Sequence, residues 1–170
     1  MNSLISEMKR KKNFLKKENI YYVIVIISIF FFDRLTKLKI ISDFNESTYY
    51  INNYINLDLV WNTGVGFGLL SSTSNFFYHT ITVVVGLIIF VLLYFTLVSR
   101  KIEKIIFSII TGGALGNFYD RISFNAVPDF IDLHYKSIHW FTFNIADIFI
   151  TIGLIALIIY GSPKEDNEKN

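Results

Sequence analysis

The sequence carries acidic and amide side chains in two short segments that directly adjoin long apolar runs. Residues 111–132 read TGGALGNFYDRISFNAVPDFID, and residues 143–147 read FNIAD. Asp129 and Asp147 are each flanked by hydrophobic residues, and two carboxyl groups held close together in an environment of low polarity share a proton. One carboxylate can then act as a general base on a water molecule while the other carboxyl group donates to a carbonyl oxygen. The pattern predicts hydrolysis at a pair of aspartates.

Two further pairs of polar residues have helical spacing. Asn117 and Arg121 are four residues apart, and so are Asp33 and Lys37 near the first apolar run, so each pair shares a helix face. Because arginine does not titrate usefully, the first pair suits hydrogen bonding to a carboxylate or to substrate carbonyls better than proton transfer. The second pair fits either a role in a membrane site or a snorkelling pair at the membrane surface with no further role.

The composition of the chain indicates a membrane protein of one domain. The 170 residues are 52% hydrophobic, the mean hydropathy is +0.45, and long apolar runs dominate. The chain contains no cysteine, which excludes disulfides, thiolate nucleophiles and cysteine-ligated metals. A catalytic site must therefore use carboxylates, hydroxyls or histidines.

Four apolar segments predict four membrane-spanning helices, at residues 20–39, 76–98, 102–119 and 143–160. The apolar centres of the first and third segments are too short to cross a hydrocarbon core of about 30 Å at about 1.5 Å per residue. These two helices must therefore continue through their polar ends, to about Leu38 and about Tyr119. Gly112 and Gly116 form a GxxxG pattern in the third helix, which favours close packing within the bundle.

Residues 42–72 form a long connection that does not have the pattern of a helix. The near-alternation of apolar and polar residues over 55–59 is typical of a short strand, and the glycines of 64–68 indicate a turn. We predict a small sheet formed by residues 49–70 on the outer membrane surface, with its aromatic side chains at the depth of the lipid headgroups.

Residues 120–142 are predicted to form a second connection on the same side of the membrane. Pro128 favours an extended backbone at Val127, which separates Asp129 from the third helix and lets it turn back toward the fourth.

The distribution of basic residues orients the four predicted helices. Lysine and arginine cluster before the first helix and between the second and third, whereas residues 42–75 contain neither. The positive-inside rule therefore places the tails of residues 1–19 and 161–170 in the cytoplasm. The polar ends of the first, third and fourth helices then all lie at one depth on the outer side, which predicts a single outward-facing site.

Five sequence blocks, taken in order, resemble those of the lipoprotein signal peptidase family, the aspartic signal peptidases II of bacteria. They are DRLTK at 33–37, NTGVGF at 62–67, GGALGNFYDR at 112–121, VPDFI at 127–131 and FNIAD at 143–147. The resemblance covers nearly the whole chain. It departs from the family pattern at Gly66, where many members carry alanine or serine, and this glycine removes no chemical group.

The resemblance implies both a fold and an activity. The fold is an all-α membrane bundle of four transmembrane helices with a small periplasmic β-cradle. The activity is that of a membrane aspartic endopeptidase, which removes the signal peptide from diacylglyceryl-modified prolipoproteins by cleaving before the lipidated cysteine. The lipid chains would dock among the helices and the peptide would lie extended against the cradle, and no metal or other cofactor is required.

The resemblance also assigns residues and a location. By position, Asp129 and Asp147 match the catalytic pair of the family. Eight residues match supporting positions around the substrate and this pair: Asp33, Lys37, Asn62, Gly64, Asn117, Asp120, Arg121 and Asn144. The implied location is the bacterial inner (cytoplasmic) membrane, with several spans and with the site at the periplasmic face. The expected partners are the prolipoprotein and membrane lipids, without nucleic acid, and the chain is expected to act as a monomer.

Two other interpretations use the same polar residues. A metal-dependent intramembrane protease could use Asp132, His134 and His139, but five residues would separate the two histidines by about 140° on a helix, and the chain contains no HExxH pattern. A small ion-coupled transporter or a purely structural membrane protein could also hold buried acid–lysine pairs. That interpretation predicts polar residues throughout the bilayer, whereas the middle and inner parts of these helices are nearly all apolar.

Overall fold

The computed structural model of the protein describes residues 18–43, 48–64 and 75–161. Within them lie four helices: α1 Glu18–Asp43, α2 Asn75–Val98, α3 Lys101–Phe124 and α4 Ile145–Gly161. They also contain four strands: β1 Tyr49–Asn52, β2 Ile55–Asn62, β3 Val127–Tyr135 and β4 Ile138–Phe143. Most of both predicted tails lies outside the described residues, as do residues 44–47 and 65–72 of the predicted cradle, with Gly66.

The four helices occupy the predicted segments, but α1 and α3 are longer than predicted. The boundary predicted at residue 119 is wrong, because α3 continues to Phe124, where the left-handed backbone of Asn125, with a φ of 53°, caps it. The charged side chains of Asp120 and Arg121 find partners inside the bundle. The helix can therefore continue through Asp120 and Arg121, although the polarity of these residues suggested that the helix would end before them.

The central helix of the bundle is α3, which packs against α1, α2 and α4. Its glycines permit these close approaches. A Cβ atom added at Gly112 would lie 2.8 Å from the Cβ of Ile29 in α1, and one at Gly113 would lie 2.6 Å from the carbonyl oxygen of Ala146 in α4. The prediction that the GxxxG pattern packs helices within the bundle is confirmed.

The outer surface of the helices is strongly apolar. Phe90 of α2 is 73% exposed and Ile159 of α4 is 71% exposed, and many isoleucine, leucine and phenylalanine side chains share this surface. By length and composition, Tyr78–Val98 is the one helix among the described residues that could cross a membrane, and the apolar helix Ile145–Gly161 is shorter. That all four helices cross a membrane therefore stays a prediction.

The strands form one antiparallel sheet in the order β1-β2-β3-β4. The strand predicted around residues 55–59 is confirmed as β2. The prediction of residues 120–142 as a connection is wrong, because β3 and most of β4 lie within it and supply half of the sheet. The acidic and histidine residues of β3 obscured its pattern in the sequence, since the structure buries polar groups there that a strand pattern would place outside.

Candidate active site

Asp129 lies in β3 and is 2% exposed. The Nδ2 atom of Asn62 donates to its Oδ2 at 2.8 Å, and the Nδ2 atom of Asn144 donates to its Oδ1 at 2.6 Å. Burial raises the pKa of Asp129 to about 7, with a further contribution from the nearby charge of Asp147 and a smaller opposing one from the two amides. The carboxyl group is therefore poised to exchange a proton near neutral pH.

Asp147 lies in the first turn of α4, where helix capping fixes its side chain. The main-chain N–H of Asn144 donates to Asp147 Oδ2 at 3.1 Å, and the N–H of Asp147 donates back to Asn144 Oδ1 at 3.1 Å. This reciprocal pattern is that of a capping box. The Nδ2 atom of Asn117 donates to the remaining oxygen of Asp147 at 2.8 Å.

Three asparagine side chains surround the two carboxyl groups, and a donor fixes the orientation of each amide. The Oδ1 atom of Asn62 accepts from the N–H of Gly64 at 2.8 Å, and that of Asn144 accepts from the N–H of Asp147. The Oδ1 atom of Asn117 accepts from the Nζ of Lys37 at 2.8 Å. Because each oxygen is occupied, each NH₂ group points at an aspartate. We call Asp129 and Asp147 the amide-lined pair.

The amide-lined pair borders a small cavity of about 20 Å³. Its lining contains both aspartates and five other residues: Asn62, Asn117, Arg121, Val127 and Asn144. A cavity of that size has room for about one water molecule, and the polar lining offers it hydrogen bonds. The structure therefore brings together six of the residues that the sequence predicted for the site, from β2, α3, β3 and the start of α4.

Behind the amide-lined pair lies a second group of buried charges, which we call the ion-paired cluster: Asp33, Arg34, Lys37 and Asp120. The side chain of Lys37 is fully buried, and its Nζ lies 2.7 Å from Asp33 Oδ2 and 2.7 Å from Asp120 Oδ2. Arg34 pairs with the other oxygen of Asp120. Two carboxylates thus face two cations, as buried charges require.

The ion-paired cluster joins α1 to α3 and α4. The Oδ1 atom of Asp33 accepts from the main-chain N–H of Ala146 at 2.9 Å, at the N-terminal end of α4, where a negative charge is stabilised. Gly116 makes room for this carboxyl group, because an added Cβ would collide with Asp33 Oδ2. The prediction that Asp33 and Lys37 pair on one helix face is confirmed.

Sequence reasoning did not select Arg34 as a site residue. Its guanidinium lies 4.7 Å from the ring centroid of Tyr119 as well as against Asp120. A signal was present in the sequence, since Arg34 directly follows Asp33 within the first predicted helix and a buried cation requires a carboxylate partner. The contact with the backbone of Ala146 had no sequence signal, because the side chain of that residue takes no part in it.

Arg121 has a different partner from the carboxylate or substrate carbonyl suggested by the sequence. Its Nη2 donates to the carbonyl oxygen of Gly64 at 2.7 Å and so holds the residues after β2 against α3. Its Nη1 is buried and, among the described residues, has no hydrogen-bond partner. Since Arg121 lines the small cavity, this N–H group is available to a bound molecule.

An apolar cavity of about 260 Å³ adjoins Asp147. Its lining comes from the end of β4 and from α4, with Phe141, Phe143, Asp147, Ile148, Thr151 and Ile152. The site therefore combines two carboxyl groups and room for one water molecule with an adjacent apolar recess.

The three residues considered as metal ligands lie on strands. Asp132 and His134 belong to β3 and His139 belongs to β4, with His134 opposite His139 in the register. The helical spacing used against this set is wrong, because a hairpin brings residues five apart directly together.

Comparisons with known proteins found relatives of the chain in both sequence and structure. Residues 25–162 match the family model for signal peptidase (SPase) II. The lipoprotein signal peptidase of Pelagibacter ubique is 46% identical over 165 residues, covering 93% of this chain and 99% of that protein. The lipoprotein signal peptidase of Anaplasma phagocytophilum is 37% identical over 147 residues, covering 84% and 92%. A bacterial membrane enzyme solved by the in meso method superimposes with a TM-score of 0.70 at 28% identity, over 88% of this chain and 94% of that one.

Proposed function

The chain belongs to the signal peptidase II family of membrane aspartic peptidases, and from that premise we propose that Asp129 and Asp147 are its catalytic pair. The observation that carries the proposal is the small cavity that both aspartates border. In the described part of the chain Asp33 and Asp120 are fully buried like Asp129, but each of these two is paired with a cation. Among the described residues, no lysine or arginine forms an ion pair with Asp129 or Asp147, so a proton remains the means of balancing their charge.

In the proposed reaction the amide-lined pair holds one proton and one negative charge. The ionised carboxylate takes a proton from the water in the small cavity, and the water oxygen attacks the carbonyl carbon of the peptide bond. The protonated carboxyl group donates to the carbonyl oxygen, which gives a tetrahedral intermediate. Collapse of this intermediate breaks the C–N bond: the amine nitrogen takes up a proton from the pair, and a hydroxyl group of the intermediate returns its proton to the pair as the new carboxyl group forms. The raised pKa of Asp129 supports a pair that still holds its proton near pH 7.

The neighbouring polar groups act as positioning residues in this proposal. Asn62, Asn117 and Asn144 hold the two carboxyl groups in place, and their amides cannot rotate without losing the donors on their oxygens. Arg121 offers its unpaired Nη1 to a substrate carbonyl, since the group is buried beside the cavity. Such preorganised donors stabilise charge that develops in the transition state.

The proposed substrate is a prolipoprotein, in keeping with the shared name of the relatives. Cleavage would occur just before a cysteine that carries a diacylglyceryl group. The apolar cavity beside Asp147 supports this choice, because it offers acyl chains a binding surface next to the proposed catalytic carboxylate. The peptide segment would lie extended against the sheet, near Asp129.

The proposed location is the inner membrane of a bacterium, with four membrane-spanning helices, both termini in the cytoplasm and the site at the periplasmic face. The highly apolar outer surface of the helices supports the spans. The hydrogen bond between Asp33 and Ala146 supports one common depth for the polar ends of α1 and α4. We also propose that the chain acts as a monomer, because one chain supplies both aspartates and all three amides.

The test is a comparison of two substrates that differ only in the lipid. The purified full-length protein is incubated in detergent with a diacylglyceryl-modified prolipoprotein and with its unmodified twin. We expect processing of the modified form alone, with a product that begins at the lipidated cysteine by mass spectrometry. Processing of neither form, or cleavage at another bond, would contradict the proposed function.

A further inference from the structure

The hairpin formed by β3 and β4 carries a cluster of three side chains that can ligate a metal. The Nδ1 atom of His139 lies 2.7 Å from Asp132 Oδ2, and the Nδ1 atom of His134 lies 3.5 Å from the same oxygen. The ligand atoms of the three residues all lie within 4.8 Å of one another. The two histidines face each other across the hairpin, and their rings stack at a centroid distance of 5.3 Å.

One member of the cluster has a buried nitrogen without a hydrogen bond. His134 is 5% exposed, and its Nδ1 has no hydrogen-bond partner among the described residues. A buried polar atom in this condition costs free energy unless something binds to it. The nitrogen belongs to the same small group of atoms as the carboxylate of Asp132, so a ligand at this point would meet both. This unfilled position is a separate observation from the composition of the cluster.

We propose that Asp132, His134 and His139 bind one divalent transition-metal ion of the zinc class. Two imidazole nitrogens and one carboxylate oxygen suit such an ion, whereas calcium and magnesium prefer oxygen ligands throughout. Zinc bonds of about 2.0–2.2 Å in tetrahedral geometry place ligand atoms about 3.3–3.5 Å apart. The contact between His134 Nδ1 and Asp132 Oδ2, at 3.5 Å, already has this spacing. Rotation of the exposed His139 side chain can lengthen its 2.7 Å contact with the same oxygen.

A metal ion has open access to the cluster. The side chain of His139 is 58% exposed. On the other side, His134 lines a polar cavity of about 390 Å³ together with Tyr50, Asn53, Tyr54, Tyr135 and Lys136. A water molecule can take the fourth ligand position on either side. Asn56 lies opposite Asp132 in the sheet, and its Nδ2 approaches Asp132 Oδ2 at 3.5 Å, which helps to orient the carboxylate.

The position of the cluster indicates a structural role for the ion. Asp132 is three residues after Asp129 on β3, so the two side chains point to opposite faces of the strand. The ion therefore does not reach the proposed catalytic water. It would instead link β3 to β4 near their turn and thereby hold the strand that carries Asp129.

The direct test uses cobalt(II) as a spectroscopic probe and zinc as a competitor. The full-length protein is purified in detergent with an affinity tag that contains no histidine. We expect one equivalent of cobalt to give the visible absorption of a tetrahedral nitrogen–oxygen site, and zinc to abolish it. His139→Ala should weaken binding by more than about tenfold. The matched control is His79→Ala, because His79 is the remaining histidine of the chain and lies in α2, away from the hairpin.

Thermal unfolding supplies a second readout. Zinc should raise the melting temperature of the wild type and of His79→Ala but leave that of His139→Ala unchanged. Without metal, His139→Ala should melt somewhat below the wild type, because Asp132 loses a hydrogen bond, so the diagnostic quantity is the shift that zinc produces in each variant. The proposal is overturned if the wild type binds no stoichiometric cobalt, if His139→Ala binds it equally well, or if binding is lost in His79→Ala. Each of these results is independent of peptidase activity and therefore of the proposed function.

Discussion

The ion-paired cluster and the amide-lined pair each hold two aspartates, all of them buried except the half-buried Asp147, yet they balance the negative charge in different ways. In the cluster, Lys37 and Arg34 supply one cation for each acid. In the pair, Asp129 and Asp147 receive hydrogen bonds from amides, which are neutral. A nearby cation favours the ionised form of a carboxylate, whereas neutral donors in a buried place leave a proton as the means of balancing its charge. The difference separates acids that hold the bundle together from acids that can perform chemistry.

Asn117 connects the two regions. Its oxygen accepts from Lys37 of the ion-paired cluster, and its nitrogen donates to Asp147 of the amide-lined pair. The cluster therefore determines which end of this amide faces the proposed catalytic carboxylate. Exchange of aspartate for asparagine, made in one region and then in the other, tests the comparison most directly.

The largest effect is expected for Asp129→Asn and Asp147→Asn. Each change removes a group that must transfer a proton, so processing of the lipidated substrate should fall by about 10²- to 10⁴-fold. Melting of the protein in detergent should fall only slightly, because asparagine fills the same space but turns an NH₂ group toward one donor of the site, which then loses its acceptor. The control is Asp58→Asn, an acid on the neighbouring strand β2. Retained activity in either variant would remove that residue from the mechanism.

A large effect on stability, rather than on activity, is expected for Asp120→Asn in the ion-paired cluster. This change leaves Arg34 without its buried carboxylate, and an uncompensated buried charge costs about 3–5 kcal/mol. The loss should appear as a lower melting temperature in detergent, and any active fraction that remains folded should still process substrate. Asp43→Asn serves as the control, because this acid is exposed at the end of α1. Equal stability of the two variants would show that the cluster does not compensate charge as described.

The two regions also differ in how far the sequence predicts them. The helices follow from apolar runs, and the acids of the site follow from polar residues placed beside those runs. The contact of Arg34 with Asp120 spans 86 residues and that of Asp33 with Ala146 spans 113. Such pairs depend on how α1, α3 and α4 pack, and no local spacing indicates them. The i,i+4 pair of Asp33 and Lys37 was predictable because a single helix brings it together.

The hairpin of β3 and β4 escaped prediction for a related reason. Strand patterns are recognised by apolar residues on one face, but β3 buries Asp129, Asp132 and His134. Asp129 is buried among side-chain amides, and Asp132 and His134 are buried beside each other. Polar residues therefore occupy positions of β3 where a strand pattern has apolar ones. For this reason the segment that was predicted as a connection could not be recognised as half of the sheet.

A moderate effect on activity is expected for Asn117→Leu, which breaks the connection between the two regions. Asp147 loses one hydrogen bond, and a bond to a charged group contributes about 1.5–3 kcal/mol. If this bond acts in the transition state, processing should fall roughly ten- to hundredfold. Lys37 keeps both of its carboxylate partners, so stability should fall less than in Asp120→Asn.

The matched control for Asn117→Leu is Ser108→Ala, a buried residue on the same helix whose hydroxyl bonds only to its own helix backbone at Lys104. Wild-type turnover in Asn117→Leu would show that the capping box alone positions Asp147. A loss of stability as large as that of Asp120→Asn would instead place Asn117 within the ion-paired cluster.

A pH effect should report on the amide-lined pair without any mutation. The pKa of Asp129 is raised from 3.8 to about 7 in the folded protein, so the proton of the pair is present below pH 7 and is lost above it. The rate constant kcat/KM for the lipidated substrate should therefore fall about tenfold per pH unit above this value. The free energy of unfolding should also decrease as pH rises. A pKa that is raised in the folded state contributes stability at low pH, and this contribution disappears as pH rises from about 4 to 7. A flat profile between pH 6 and about 9 would contradict a shared proton.

The smallest effect is expected for Asn62→Leu. This change should shift the pH at which kcat/KM begins to fall, which we call the alkaline limb. The Asn62 amide donates to Asp129 and lowers its pKa, opposing the effect of burial. Without this donor the carboxyl group should hold its proton to higher pH, so the alkaline limb should move up by about half to one pH unit. The direction is diagnostic, because a variant that merely loosened the site would admit water and move the limb down. Asp58→Asn, on the same strand, should leave the limb in place.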